Sequence, residues 1–336
     1  MPLIDNSSLR ASLQNNHTDL EKIFVNRLQS LTDEVRGDFR AVRCSKNYTM
    51  RRKTGFTQAQ PDPLTNAWNP SVGIAAFKER IATLQACKAD VAWTQADIDA
   101  INTSWIAEKD PNDPNDIHSI AGLKWMLKDV YEGIDNDIVN GIWAGVRNTG
   151  TGINGGTNLY DGLNFHLLAA FGASDMTVGN NTVVTLASAA TTEANILAQF
   201  KALSAKIRGN KQLNLEYTRG KGDLYVPQLF IDFAREAQNS AFTNGSMVVA
   251  KEGGDYKLNA FPNITVKPRN WMFGLDQMLL TPSDNLFIGS QDGGAEAGAP
   301  SVKFQEDKRA LNALFGWKMF INFADPRNMV VFRALT

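Results

Sequence analysis

Cysteine is nearly absent. Cys44 and Cys87 are the only two in 336 residues, and their separation matches no metal-binding or redox spacing. Two free thiols in a reducing compartment is what such usage implies. Histidine is as scarce: His17, His118 and His166 lie in separate segments, none with a carboxylate or cysteine at ligand spacing, so no metal site is expected. No window reaches the ~18 consecutive apolar residues of a membrane span, and "MPLIDNSSLRASLQNN" offers no signal-peptide core. A soluble chain, intracellular when made, is the expectation. Nor is one sign of charge in excess: 34 Lys plus Arg stand against 35 Asp plus Glu. That balance argues against a protein whose main task is coating nucleic acid. There is no G-x-S-x-G elbow, Walker loop or Cys-His pairing, so the familiar hydrolytic signatures are missing.

What the chain does have is apolar material in periodic order. Hydrophobic residues make up 43%, with seven Trp, enough for a substantial core. Leu9, Leu13, Leu20, Phe24, Leu28 and Leu31 recur at helical spacing and predict an amphipathic helix over 8–35. A polar stretch follows at 42–73, "VRCSKNYTMRRKTGFTQAQPDPLTNAWNPSVG". So long an insert without apolar period is functional when it sits in a compact body, and it reads as a two-stranded arm that leaves and returns. A strand over 81–91 and a helix over 94–108, started by Thr94 and Asp97, come next. Ile120, Leu123, Leu127, Val130, Ile134, Ile138 and Ile142 then step by three or four residues. They predict a helix of about 30 residues, on the order of 45 Å long, a strut rather than a core helix.

Beyond residue 150 short helices alternate with short strands. Helices are predicted at 163–171 and at 192–208, the latter capped by Thr191 or Thr192 and stopped by Gly209. "KGDLYVPQLFIDFAREAQNS" gives strand, proline, helix, and strands follow at 246–250 and 261–267. "LLTPSDNLFIGSQD" (279–292) reads as a hairpin about a Pro-Ser-Asp-Asn turn. "QDGGAEAGAP" (291–300) is a low-complexity connection. Phe315, Trp317, Met319, Ile321 and Phe323 alternate with Gly316, Lys318 and Asn322, a strand with one buried face. "ADPRN" turns the chain, and "MVVFRAL" is expected to return as its partner.

Three features could carry chemistry. "GTGING" (150–155) satisfies G-x-G-x-x-G, but a dinucleotide cradle needs a strand before the glycines, and here a long helix precedes them; a hinge is the better reading. Carboxylate pairs such as Asp97 with Asp99, or Asp135 with Asp137, belong on solvated helix faces. Arg51, Arg52 and Lys53, with Arg43, lie in the polar excursion, and no core requires them. Tyr48 and Phe56 nearby admit nucleic acid as a partner, but the neutral overall charge favours acidic groups on another protein chain.

In this order, an N-terminal helical arm, a long protruding loop, a strut, an α+β domain and a terminal hairpin, the chain resembles the major capsid proteins of tailed double-stranded DNA bacteriophages. "TPSDNLFIGSQD", "EDKRALNALFGWKMFINFADPRNMVVF", "LQACKADVAWTQADIDAINTSWIAE" and "GTNLYDG" carry the resemblance, from about Arg40 onward. It implies the α+β fold of the Hong Kong 97 type (Johnson fold). Its parts would be an N-arm (1–40), an extended loop (41–78), and a peripheral domain (79–154) with a spine helix at 116–146. An axial domain (155–294) and C-terminal strands returning to the peripheral domain (295–336) would follow. It implies a structural protein, not an enzyme, without cofactor or metal, that forms hexamers and pentamers of an icosahedral or prolate shell around the phage genome. Arg43, Arg51, Arg52 and Lys53 would be subunit contacts. Portal, scaffold or decoration proteins would be partners, packaged DNA would touch the inner face, and no membrane would be involved. The protein would be made in the host bacterial cytoplasm and end in the virion. Crosslinking members of the family join a loop Lys to a neighbour's Asn; Lys46 and Lys53 are in the loop, without a matching partner. No leading segment of ~100 residues corresponds to a fused scaffold, which implies a separate scaffold or none. An encapsulin-like compartment shell and a hydrolase with an acidic site at 155–290 are the competing readings.

Overall fold

The computed structural model describes residues 6–16, 18–20, 22, 24, 33–53, 77–108, 120–149, 156–173, 183–185, 191–240, 248–250, 255–291, 301–307 and 310–333. Helix α1 spans Asn6–Asn15 and stops at Asn16, whose side-chain amide donates to the Ser12 carbonyl at 2.8 Å. Residues 18–20, 22 and 24 are helical again, and α2 is Asp33–Asp38. The single amphipathic helix expected over 8–35 is therefore interrupted. Its apolar face is as expected at Leu9, Leu13, Leu20 and Phe24, all buried; Leu28 and Leu31 lie outside the described residues.

Strand β1 (Arg40–Cys44) precedes β2 (Asn47–Lys53), β3 (Phe77–Thr83) and β4 (Gln85–Thr94). β2 and β3 pair antiparallel, from Asn47 opposite Thr83 to Lys53 opposite Phe77, and form the expected arm. The run 81–91 is two strands rather than one, divided at Leu84, whose N–H donates to the Lys46 carbonyl at 2.9 Å. That bond closes the arm's root. Helix α3 (Gln95–Glu108) begins as predicted: Thr94 N–H and Oγ1–H donate to Asp97, and Asp97 N–H donates back to Thr94 Oγ1.

The strut is α4, Ile120–Ala144, about 37 Å at 1.5 Å per residue. Leu123, Leu127, Ile134, Ile138 and Ile142 are buried while Lys124, Lys128, Glu132, Asn136 and Asn140 face solvent. Beyond it Val146 N–H donates to the Thr157 carbonyl and Asn148 N–H to that of Asn158, in a 3-10 turn at Gly156–Asn158. The flanks of 150–155 are thus tied together; "GTGING" itself lies outside the described residues. Gly145 and Gly162 touch backbone to backbone: a Cβ on Gly145 would stand 2.5 Å from the Gly141 and Tyr160 carbonyl oxygens. This contact fixes the end of α4 to the start of α5 (Leu163–Gly172).

The remaining elements are β5 (Val183–Thr185), α6 (Glu193–Gly209), α7 (Lys211–Arg219), β6 (Gly222–Val226), α8 (Gln228–Ser240), β7 (Val248–Ala250), β8 (Tyr256–Leu258), β9 (Phe261–Pro268), a 3-10 turn at Asn270–Met272, β10 (Met278–Pro282), β11 (Leu286–Gln291), β12 (Ser301–Asp307), β13 (Ala310–Phe323) and β14 (Val330–Arg333). Thr192 with Asn195 caps α6 in a reciprocal box. α6 ends at Gly209 as expected, but a further helix follows at once: Asn210 Oδ1 accepts from Leu213 N–H at 3.3 Å and starts α7.

Among the described residues the strands make a five-stranded sheet (β1-β11-β13-β12, with β4 on β13), a seven-stranded sheet (β5-β14-β10-β6-β9-β8-β7) and the β2–β3 ribbon. Two expected hairpins do not form. β10 lies between β14 and β6, whereas β11, three residues later, lies between β1 and β13. β13 and β14 likewise belong to different sheets, so both connections cross between them. The reason is burial. Met278, Leu279, Leu280 and Thr281 are all buried, and a strand covered on both faces belongs inside a sheet, not in a hairpin with a solvated side. Asn285 joins the two crossings: its Nδ2 donates to Thr281 Oγ1 (3.1 Å) and to the Asp325 carbonyl (2.9 Å), while Asp325 N–H donates to its Oδ1 (2.8 Å).

The core divides by strand parity. Leu224, Val226, Ile264, Val266, Met278, Leu280, Val330 and Phe332 pack with α6, α7 and α8, whereas the intervening Tyr225, Leu279 and Val331 join the core beneath α4. In that core Tyr131 meets Phe315 at 5.9 Å and Phe24 meets both Phe315 and Trp317. β13 was expected to bury one face; Phe320 and Asn322 on the other are buried too, because the arm covers them.

Candidate functional site

The arm sits on that second face. Met50 and Ala82 pack with Leu84, Phe287 and Phe320, and Tyr48 leans on them, with ring centroids 5.9 Å from Phe287 and 6.3 Å from Phe320. Arg80 lies with its guanidinium 4.2 Å from the Phe323 ring centre. The opposite face, Asn47, Thr49, Arg51, Glu79, Ile81 and Thr83, is exposed. Alternation in a two-stranded ribbon therefore gives the arm an underside of Tyr48, Met50 and Ala82 fixed to the body and an exposed upper side that is polar but for Ile81.

The predicted contact residues are not all together. Arg51, Arg52 and Lys53 share β2. Arg43 sits on β1, in the five-stranded sheet, where it pairs in register with Ser290. Arg51 already has a partner within the chain, Glu79 across the ribbon, at 2.8 Å; both side chains are well exposed, so the pair is worth well under about 1 kcal/mol. Opposite Arg52 in register stands Lys78, and opposite Met50 stands Arg80. The pairing of the ribbon, not the order of the sequence, brings these two β3 cations beside the β2 run.

A second cluster went unseen in sequence because its members lie far apart in the chain. Asp38, at the end of α2, has a fully buried carboxylate. Arg269 grips it through Nε (2.6 Å) and Nη2 (3.0 Å), Lys267 Nζ approaches at 3.4 Å, and Trp271 Nε1–H donates at 3.4 Å. Lys267 also meets Asp223 at 3.2 Å and Arg269 meets Asp255 at 3.5 Å. Charges so removed from water persist only when paired and hydrogen-bonded. They bind the segment entering β1 to the seven-stranded sheet.

His166 is the described histidine, on α5; His17 and His118 lie outside the described residues. Burial and then Arg80 push its pKa down to about 4, against the opposing pull of Asp161 and of hydrogen bonding to the Asp161 and Ile321 backbones. Cys87 is buried, and that burial raises its thiol pKa to about 12, so it stays a neutral thiol; Cys44 is half-buried on β1. Asp97 is the α3 cap, and its pKa is lowered by the hydrogen bonds from Thr94. Among the described residues no three His, Cys, Asp or Glu side chains gather as a metal would require, and no helix is long and apolar enough to cross a membrane. What the described residues offer is a surface, an arm fixed at its root on a body held by buried paired charges.

No family model matches the chain, and neither does any curated protein sequence. Solved structures do. The chain is similar to the satellite phage P4 procapsid that includes size determination (Sid) protein, with TM-score 0.56 and 11% identity over 93% of this chain and 98% of that one. It is similar to the capsid of a native GTA particle (TM-score 0.52, 12% identity, 90% of each chain) and to that of an empty GTA particle (TM-score 0.51, 11% identity, 90% of each chain). Likeness over nine-tenths or more of both chains in each case makes this the α+β fold of the Hong Kong 97 type.

Proposed function

We propose that the chain is the major capsid protein of a tailed double-stranded DNA phage. Copies assemble into hexamers and pentamers and close an icosahedral or prolate shell around the genome. The observation that carries this reading is that the likeness to capsid subunits covers nine-tenths or more of both chains. The physical logic agrees. A shell subunit needs a stiff plate, which the strut and buried charge cluster supply, and a projection that overlaps its neighbour, which the ribbon supplies. Each contact can be weak because closure makes many of them cooperative. In this reading α4 is the spine and the axial domain, expected over 155–294, centres on the seven-stranded sheet with α6 to α8, which takes in β14 and leaves β11 to the five-stranded sheet; Arg43, Arg51, Arg52 and Lys53 meet acidic or polar surface on the next subunit, joined by Lys78. Portal, scaffold or decoration proteins and packaged DNA would be further partners, and the virion the final location.

The test is electron microscopy of the purified protein, alone and with the products of adjacent genes. Closed shells or hexameric capsomers are expected. Turnover of small substrates by a protein that never associates would sink the reading. Arg51→Glu with Arg52→Glu should leave the fold intact, with its melting temperature shifted little, and prevent closure. Raised salt should weaken wild-type assembly in the same direction, since exposed pairs are screened over ~10 Å at 0.1 M ionic strength.

A further inference from the structure

Phe273 is the most exposed large apolar side chain among the described residues, with 87% of its surface in solvent. A lone surface apolar residue needs no explanation, but this ring stands on a fixed base. Trp271 and Met272, just before it, are buried. Trp271 packs against Trp143, Tyr225 and Phe39 and donates to Asp38. Just after it, Gly274 takes φ +72°, a conformation that side chains disfavour. Phe273 N–H donates to the Asn270 carbonyl at 2.9 Å and Leu275 N–H to that of Met272 at 3.2 Å. The backbone under the ring is thus held from both sides while the ring touches solvent.

The surroundings select the partner. Residues 270–275, NWMFGL, carry no charge. The cations that precede it in the chain, Lys267 and Arg269, are turned inward onto Asp38, Asp223 and Asp255, and the next charged residue after it is the anion Asp276. A nucleic-acid backbone needs cations facing it, so this turn suits apolar protein surface instead. The same chain carries such a surface: α5, LNFHLLAAFG, has no charged residue and shows Phe165 and Leu168 to solvent, three residues apart on one face. A knob on one part of a subunit and a seat on another make a heterologous contact, which closes into a ring when repeated about an axis. We propose that Phe273 anchors one copy of this chain onto the uncharged α5 surface of the next copy. The inference rests on the self-assembly reading above and adds the residue and its seat. An aromatic side chain on a preorganised turn is the kind of group that concentrates binding energy, because little ordering accompanies its burial.

Sedimentation velocity over a concentration series, beside circular dichroism melting, tests this with the wild type, Phe273→Ser, Phe273→Leu, Leu168→Ser and the Phe273→Ser/Leu168→Ser double variant. Phe273→Ser should melt with the wild type, since the ring adds nothing to its own core. It should raise the concentration needed for assembly about tenfold or more, and Phe273→Leu should recover most of the loss. Leu168→Ser should give a similar shift, and the double variant little beyond either. An unchanged threshold in Phe273→Ser overturns the anchor and leaves self-assembly standing; a shift there with none in Leu168→Ser overturns the α5 seat. A lowered melting temperature in Phe273→Ser places the ring in its own core and overturns the proposal. A wild type that stays monomeric throughout overturns both the anchor and the assembly reading.

Discussion

Asp38 is the single carboxylate that two cations and an indole converge on. Asp38→Asn keeps the shape but takes from Arg269 and Lys267 the fully buried carboxylate they share, leaving Asp255 and Asp223 as the nearby charges that still pair with them, so a loss of about 3–5 kcal/mol is expected. The urea midpoint reads it; a loss under about 0.5 kcal/mol would mean that water reaches the cations. His166 gives a second prediction at this scale. Its folded pKa, about 4, lies below the ordinary 6.5, so between those values the unfolded chain binds a proton that the folded chain refuses. Stability should therefore fall as pH drops from about 6.5 towards 4, and the penalty is complete below that window. Measured against the wild type, His166→Gln should lack this part of the slope; equal slopes would show that the ring is solvated.

Among the elements, α4 was the easiest to read and is the easiest to break. Leu127 is fully buried beneath it, and Leu127→Asp should cost several kcal/mol and most of the soluble yield; a well-expressed variant would put that face in solvent. Its legibility came from length, because seven apolar residues in helical phase leave no other reading. The arm was legible for the opposite reason, a long stretch with no apolar period. The hairpins were misread because chain proximity outweighed burial: "MLL" and "LFI" are apolar without alternation, the mark of central strands, and that mark does not say which sheet. α7 was missed because Gly209 looked final, while Asn210 serves as the next helix's first cap. The charge cluster about Asp38 was invisible, since β6–β9 pairing brings 223, 267 and 269 together and residues 38 and 255 join them only when the chain is folded. The proposed contact residues named from sequence lie on β1 and β2; Lys78, opposite Arg52 on β3, was not among them.

Over the whole molecule, two covalent crossings and the Asn285 bonds between them stitch the sheets into one body. A single cooperative unfolding transition is expected, with near- and far-ultraviolet circular dichroism coincident. Asn285→Ala strips the crossings of their shared partner, costs about 2 kcal/mol or more, and should separate the two signals. If they stay coincident, the core beneath α4 is what couples the sheets.

The same stitching fixes an order in time. β13 is the strand on which β4, β11 and β12 pair, and β14 separates β5 from β10, so each sheet is completed by residues between 310 and 333. While the ribosome is still short of that region, β4 has no partner and β10 lacks one of its two, although most of the chain has emerged. A prematurely ended chain would have neither sheet complete and would present frayed edges rather than a finished subunit. Translation through Arg333 thus acts as an inspection step: only chains read that far acquire the shape that could take a place among others.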